Sequence, residues 1–272
     1  ILNTTDDLKC SLYISIPFCP SRCAYCSFVS YTTKRLLSLI DEYLDALIEE
    51  LDETLLMTKK LGLQVLTVYI GGGTPTTLTA KQLTRIFEKI KEHIDPFSLM
   101  EFTLEAGRPD TITEEKLKAA KKYGVTRISV NPQTLNDDIL KEIGRKHTVL
   151  DFYRAYDIAK KSGIRDINVD LIAGLPGDDF KNFSETLDKI IELSPSNITV
   201  HTFCVNYFCT DNCKVAVCNF KNLVISHDNR SVLKPALRSQ DFGIDNLLKH
   251  NIAVNYLCSS FVLSVDNLLQ NY

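Results

Sequence analysis

The 272 residues contain no apolar run approaching the roughly 20 needed to cross a bilayer, so we expect no membrane span. Positive charge is not in excess: 31 Lys and Arg against 34 Asp and Glu leave a net charge of -3. That balance argues against a nucleic-acid binder working through a basic surface. The opening residues carry no secretory pattern, and the chain starts at Ile1 in mid-pattern. We read it as a fragment lacking an N-terminal portion. What is present is ordinary for a globular protein, with 44% hydrophobic and 24% charged residues. A chain of this length buries one substantial core, or one domain with a small appendix.

A more telling shortage lies in residues 13–28, where Cys19, Cys23 and Cys26 follow one another as C-x3-C-x2-C and no fourth cysteine completes the set. The apolar run Leu12–Ile16 before them reads as a strand that Pro17 ends, since proline cannot donate to a sheet ladder. Thiolates so closely spaced suit a soft metal centre, iron–sulfur above all. A closed structural zinc site or a simple electron-transfer cubane takes four protein ligands. A [4Fe–4S] cluster on three thiolates leaves one iron open. The alternatives are cysteines packed as small hydrophobes, or a zinc site that borrows a distant His or Cys. Nine cysteines in all would also suit a secreted disulfide protein, but the clustering favours a metal site in a reducing cytosol, so we expect a cytoplasmic protein.

From Leu12 to about Cys204, strand and helix patterns alternate. Strands are expected at Leu12–Ile16, Val65–Ile70, Leu99–Leu104, Thr126–Val130, Asp166–Ile172 and Asn197–Thr202. Helices are expected at Asp41–Met57, Lys81–Ile94, Thr113–Tyr123, Asp137–Ile143, Leu150–Lys161 and Phe180–Leu193. Such alternation implies an α/β fold with parallel pairing and right-handed crossovers. An open doubly wound sheet and an incomplete TIM-like barrel both fit, and both place ligands at the carboxyl ends of the strands.

Those ends carry the candidate residues. Gly71-Gly-Gly-Thr-Pro-Thr76 lets backbone approach a ligand closely, yet lacks the lysine of a phosphate-binding P-loop. Glu105 follows the third strand and Gln133 the fourth; either could simply cap a turn. Arg145, in Gly144-Arg-Lys-His-Thr148, would suit a carboxylate, or could be a solvated helix-end arginine; His147 beside it we read as a polar surface residue without a role. Asp170 lies within an otherwise apolar strand, where a carboxylate is costly unless paired or bonded to a ligand. Tyr13 and Tyr25 flank the cysteine loop and could equally be core aromatics.

Residues 13–28 resemble the signature of the radical S-adenosylmethionine (radical SAM) superfamily. More narrowly, they resemble the group containing oxygen-independent coproporphyrinogen III oxidase, the coproporphyrinogen dehydrogenase-like proteins and the haem chaperones. The resemblance covers residues 10–204 and selects the partial (β/α)6 TIM-like barrel. It implies a [4Fe–4S] cluster on Cys19, Cys23 and Cys26, with S-adenosyl-L-methionine (SAM) chelating the fourth iron. It further implies SAM contacts from Tyr13, Tyr25, Gly72, Gly73, Thr74, Glu105, Gln133, Arg145, Asp170 and Cys204, the last through its backbone. Porphyrinogen or haem would be the small-molecule ligand, and flavodoxin or ferredoxin the electron donor. The implied reaction is oxidative decarboxylation of porphyrinogen propionates to vinyl groups in anaerobic haem biosynthesis.

Two departures stand out. The authentic oxidases usually carry a cysteine two residues after the third ligand, where this chain has Phe28, as in the haem chaperones; a haem-carrying chaperone is therefore the alternative function. The glutamate segment, Glu105-Ala-Gly-Arg-Pro109, is one residue longer than the group's Glu-x-x-Pro. We accordingly expect residues 1–204 to form a radical SAM core domain. Residues 205–272 form a divergent, irregular tail that we read as translated out of the ancestral frame or otherwise unrelated. Cys204, at the end of the core, with Cys209, Cys213 and Cys218 of the tail, lacks the framing glycines and prolines of a second cluster site.

Overall fold

The structure, a computed structural model, describes residues 8–203 except 27 and 29, together with the backbone of residues 205–207, 216–218, 221–226 and 253–257. Six strands run parallel in chain order: β1 (Lys9–Ile16), β2 (Gln64–Gly72), β3 (Glu101–Glu105), β4 (Arg127–Ser129), β5 (Asp166–Ala173) and β6 (Asn197–Thr202). Between them lie α1 (Lys34–Leu37), α2 (Ile40–Lys60), α3 (Ala80–His93), α4 (Glu114–Lys122), α5 (Asp137–Glu142), α6 (Val149–Lys161) and α7 (Phe180–Glu192). The sheet does not close: β1 forms one edge, while β6 continues into further strands. This is the expected partial (β/α)6 barrel.

Each strand sends alternate residues to opposite faces. Ile14, Ile16, Val68, Ile70, Phe102, Leu104, Ile128, Val169, Leu171, Ile198 and Val200 turn to the helices and are buried in the main core. Each such side chain contributes about 1.5–3 kcal/mol relative to exposure. Leu44, Leu51 and Leu55 of α2 and Leu83, Ile86, Phe87 and Ile90 of α3 meet them, with Phe87 edge-on to Phe102 at 5.9 Å. The other strand face is polar: the register sets Tyr13 beside Tyr69, Glu105 beside Ser129, Ser129 beside Asn168, and Asp170 beside Thr199. One face of the sheet is thus oily and packed on the helices, and the other is polar.

The helices start where this polar face meets the loops. Thr79, Thr113, Asn136, Thr148 and Asp179 each cap a helix by accepting a backbone N–H, and Thr79 with Gln82 and Thr148 with Asp151 form reciprocal capping boxes. The expected element boundaries match to within a few residues, and Gly124 does follow α4 with φ of 86°.

Beyond residue 204 the described backbone comprises β7 (Val205–Tyr207), β8 (Ala216–Cys218), β9 (Lys221–Ser226) and β10 (Ala253–Leu257). β9 joins β6 antiparallel, β10 joins β9, and β7 pairs with β8. The sequence there shows no strand periodicity, so these pairings were not anticipated. Among the described residues no helix is long and apolar enough to cross a membrane.

Candidate functional site

The cysteine loop leaves β1 at Pro17 and is tied down on two sides. Cys19 N donates to Tyr31 O at 3.1 Å and Tyr31 N to Pro17 O at 2.7 Å, closing the loop on itself. Ala24 N donates to Ile143 O at 2.9 Å and Ser21 Oγ to Gly144 O at 3.4 Å, fastening it to the end of α5. Gly144 holds φ of 76°, and a Cβ there would meet Arg22 O at 3.1 Å. Cys19, Cys23 and Cys26 are all free thiols, the first two buried and the third partly so.

Each thiol has its own hydrogen-bond partner. Thr74 Oγ1 lies 3.3 Å from Cys19 Sγ, the Phe28 backbone hydrogen-bonds Cys26, and Arg108 Nη1 donates to Cys23 Sγ at 3.5 Å. The glycine run packs directly beneath: a Cβ on Gly73 would come within 2.8 Å of Phe18 O and 3.0 Å of Cys19 Sγ. Gly72, at φ of 110°, takes a backbone conformation that other residues rarely adopt.

Two carboxylates face this assembly from the polar side of the sheet. Glu105 has its carboxyl enclosed although part of its side chain is accessible. Burial, then the charge of Asp170, pushes its pKa up to about 8, against hydrogen bonds from Gly72 and Tyr69. Asp170 accepts from Asn131 Nδ2 at 2.8 Å and Asn168 Nδ2 at 2.6 Å, with His201 Nε2 at 3.6 Å. Two amide donors thus satisfy part of its acceptor capacity within the strand.

Arg145 is buried, not a solvated helix end. It donates to the Tyr25 hydroxyl at 2.9 and 3.2 Å and to Gly107 O at 3.0 Å; among the described residues no carboxylate pairs with it. Burial raises the Tyr25 phenol well above its usual range, opposed by Arg145. Gln133 is buried with φ of 70°, its Oε1 without a partner among the described residues. Its backbone bridges to β5 through Asp170 O and Ile172 N. Tyr13 is 60% exposed and stacks on Tyr69 with centroids 5.7 Å apart. Cys204 lies outside the described residues, as do the side chains of Cys209, Cys213 and Cys218.

His147 corrects the surface expectation: it is 3% exposed. Among the described residues neither ring nitrogen completes a hydrogen bond, although the Pro132 carbonyl lies alongside, and burial with the Arg145 charge lowers its pKa to about 4. Sequence reasoning also missed Asn131, Arg108 and Tyr69. Arg108 had a signal, the extra residue in Glu105–Pro109; Asn131 had one in its place at the end of a strand.

The residues fit a three-thiolate iron–sulfur centre. Burial pushes the Cys19 and Cys26 thiols up, so bare thiolates are disfavoured here, and iron removes that cost. A [4Fe–4S] centre on three thiolates would be a net anion, a charge suited by the buried Arg108 guanidinium that donates to Cys23 Sγ. Among the described residues, the His, Cys, Asp and Glu side chains grouped closely enough for a single ion are Asp52, Glu92 and His93 on the helix layer. There the Lys89 ammonium already neutralises the carboxylates, at 3.0 and 2.6 Å.

Comparison with known proteins agrees with this geometry. A protein 42% identical over 193 residues is the oxygen-independent coproporphyrinogen-III oxidase-like protein HemZ of Bacillus subtilis; the match covers 71% of this chain and 38% of that protein. The heme chaperone HemW of the same organism is 38% identical, over 72% of this chain and 50% of that one. The chain therefore spans half or less of the length of these relatives. Among solved structures, coproporphyrinogen III oxidase HemN of Escherichia coli, described as a radical SAM enzyme, aligns with a TM-score of 0.63 at 28% identity, over 72% of this chain and 44% of that chain. The radical SAM superfamily profile matches residues 13–190, a span holding the three thiols, the glycine run, Glu105, Gln133, Arg145 and Asp170. The chain belongs to the radical SAM superfamily, whose cofactors are a [4Fe–4S] cluster and S-adenosyl-L-methionine.

Proposed function

We propose that residues 1–204 are the radical SAM core, and 205–272 a divergent tail, of a protein of the oxygen-independent coproporphyrinogen III oxidase group. Its reaction would be oxidative decarboxylation of porphyrinogen propionates to vinyl groups in anaerobic haem biosynthesis. The observation that carries this reading is the 42% identity to the HemZ protein. The three-thiol loop and its enclosed carboxylates support it.

When bound, the cluster and SAM supply one-electron reductive cleavage to methionine and a 5′-deoxyadenosyl radical. The chain's own residues bind and orient. Cys19, Cys23 and Cys26 would hold the cluster. The backbone at Gly72 and Gly73, with Thr74, would border the methionyl amine, and the Glu105 carboxylate, its proton released to solvent, would accept a hydrogen bond from that amine. Arg145 answers a carboxylate, and Asp170 has the acceptor capacity for ribose hydroxyls. Gln133 brings an unpartnered buried amide oxygen. Tyr25, and Tyr13 stacked on Tyr69, wall the site from water, and Cys204 would border the adenine. Flavodoxin or ferredoxin would deliver the electron.

The alternative is a haem chaperone-like binding protein with a SAM-liganded cluster. Phe28, 66% exposed where the oxidases usually place a cysteine, and the 38% identity to the HemW protein favour it. Anaerobic reconstitution with iron and sulfide, followed by dithionite and SAM, should yield 5′-deoxyadenosine; no cleavage removes the enzyme reading. Added coproporphyrinogen should then give a vinyl product. Stoichiometric haem uptake without turnover selects the chaperone.

A further inference from the structure

The three thiols are not equivalent. Cys19 meets a neutral hydroxyl and Cys26 a backbone amide, whereas Cys23 meets a guanidinium and the Tyr25 hydroxyl besides. Arg108 is 3% exposed and pinned on every side. Nη1 donates to Ser21 O at 3.3 Å as well as to Cys23 Sγ, and Nη2 donates to Ser21 Oγ at 3.0 Å. Nε and Nη2 grip the Asp110 carboxylate at 3.1 and 3.3 Å. Arg108 thus has no freedom to serve a ligand elsewhere, and one of its N–H bonds is committed to a sulfur.

We propose that Arg108 is a positioning residue that raises the reduction potential of the cluster through Cys23. The inference rests on the reading that the loop holds a cluster. Hydrogen bonds to sulfur and nearby positive charge favour the more negative, reduced state. A cationic hydrogen-bond donor on one cysteine also makes the cluster electronically asymmetric. Asp110 offsets part of the charge, so it works in the opposite sense.

The test is a redox titration, by electron paramagnetic resonance, of the SAM-free cluster in the reconstituted chain. Arg108→Met should lower the reduced-to-oxidised ratio at a fixed potential about tenfold, which is ~59 mV for a one-electron couple. Arg108→Lys should fall between. Asp110→Asn should move the potential upward, a sign that loosened packing would not produce. An Arg108→Met protein with normal iron content and unchanged potential overturns the proposal. If that variant loses its cluster, Asp110→Asn decides alone: an upward shift supports the proposal, and none overturns it. A wild type that takes up no iron overturns the cluster reading instead, and the proposal with it.

Discussion

Asn131 and Asp170 hold each other twice, Nδ2 donating to the carboxylate at 2.8 Å while the Asp170 backbone N–H returns to Oδ1 at 3.2 Å. The end of β4 is thereby locked to the middle of β5, and the carboxylate is presented to the polar face with capacity to spare.

Asp170→Ala should weaken SAM binding roughly 10- to 100-fold, the equivalent of about 1.5–3 kcal/mol for lost hydrogen bonds to a charged group. Iron content should stay near that of the wild type. Calorimetric binding beside an iron assay checks both; loss of the cluster would make Asp170 structural instead.

Glu105 gives the SAM-free protein an alkaline limb. Its folded pKa, about 8, stands above the ordinary 4.5, so the folded chain keeps a proton that the unfolded chain has lost. The associated stability is complete below pH 4.5 and disappears as the pH rises through about 8. The slope in that window is at most about 1.4 kcal/mol per pH unit. Glu105→Gln should flatten it in denaturant titrations; an unaltered slope would assign the limb to another group.

His147 acts at the other end. Its folded pKa, about 4, is depressed from 6.5, so its contribution is complete above pH 6.5 and is lost as the pH falls through about 4. His147→Leu removes two unpartnered nitrogens and should reduce the acid sensitivity without loss of stability at pH 7. Urea midpoints from pH 4 to 7 measure this.

Gly73→Ala should cost about 1–3 kcal/mol and lower iron uptake, since the new methyl meets two backbone carbonyls and a ligand sulfur. Gly62 has φ of 68° but open space around it, so Gly62→Ala should cost stability while iron uptake holds. Parallel unfolding and iron assays separate the two.

Replacing Cys19, Cys23 or Cys26 with Ala should abolish cluster uptake, whereas Cys10→Ala, on β1 and outside the loop, should leave it intact. Iron quantification after anaerobic reconstitution is the check.

The local features were legible in advance. Apolar periodicity marked the six parallel strands and their helices, and the thiol trio declared its chemistry through spacing within a single loop. Contacts between distant residues were another matter. Arg108 and Cys23 are 85 positions apart, and Asn131 and Asp170 are 39 apart. Tyr69 meets Tyr13 only because neighbouring parallel strands align in that register. His147 looked like a surface residue because its burial comes from elements packed over it, not from its neighbours in the chain.

The order of the amino acids by itself determined the alternation of strand and helix, the three sulfurs and the glycines beneath them, because these depend on periodicity and on spacings of a few residues. The tertiary structure alone decided which thiol receives a guanidinium, which carboxylate keeps its proton, and that Arg145 is buried with no carboxylate paired to it among the described residues. Charge state and hydrogen bonding are set by whatever is brought within a few ångströms, and only the packing of the sheet against its loops brings these groups together.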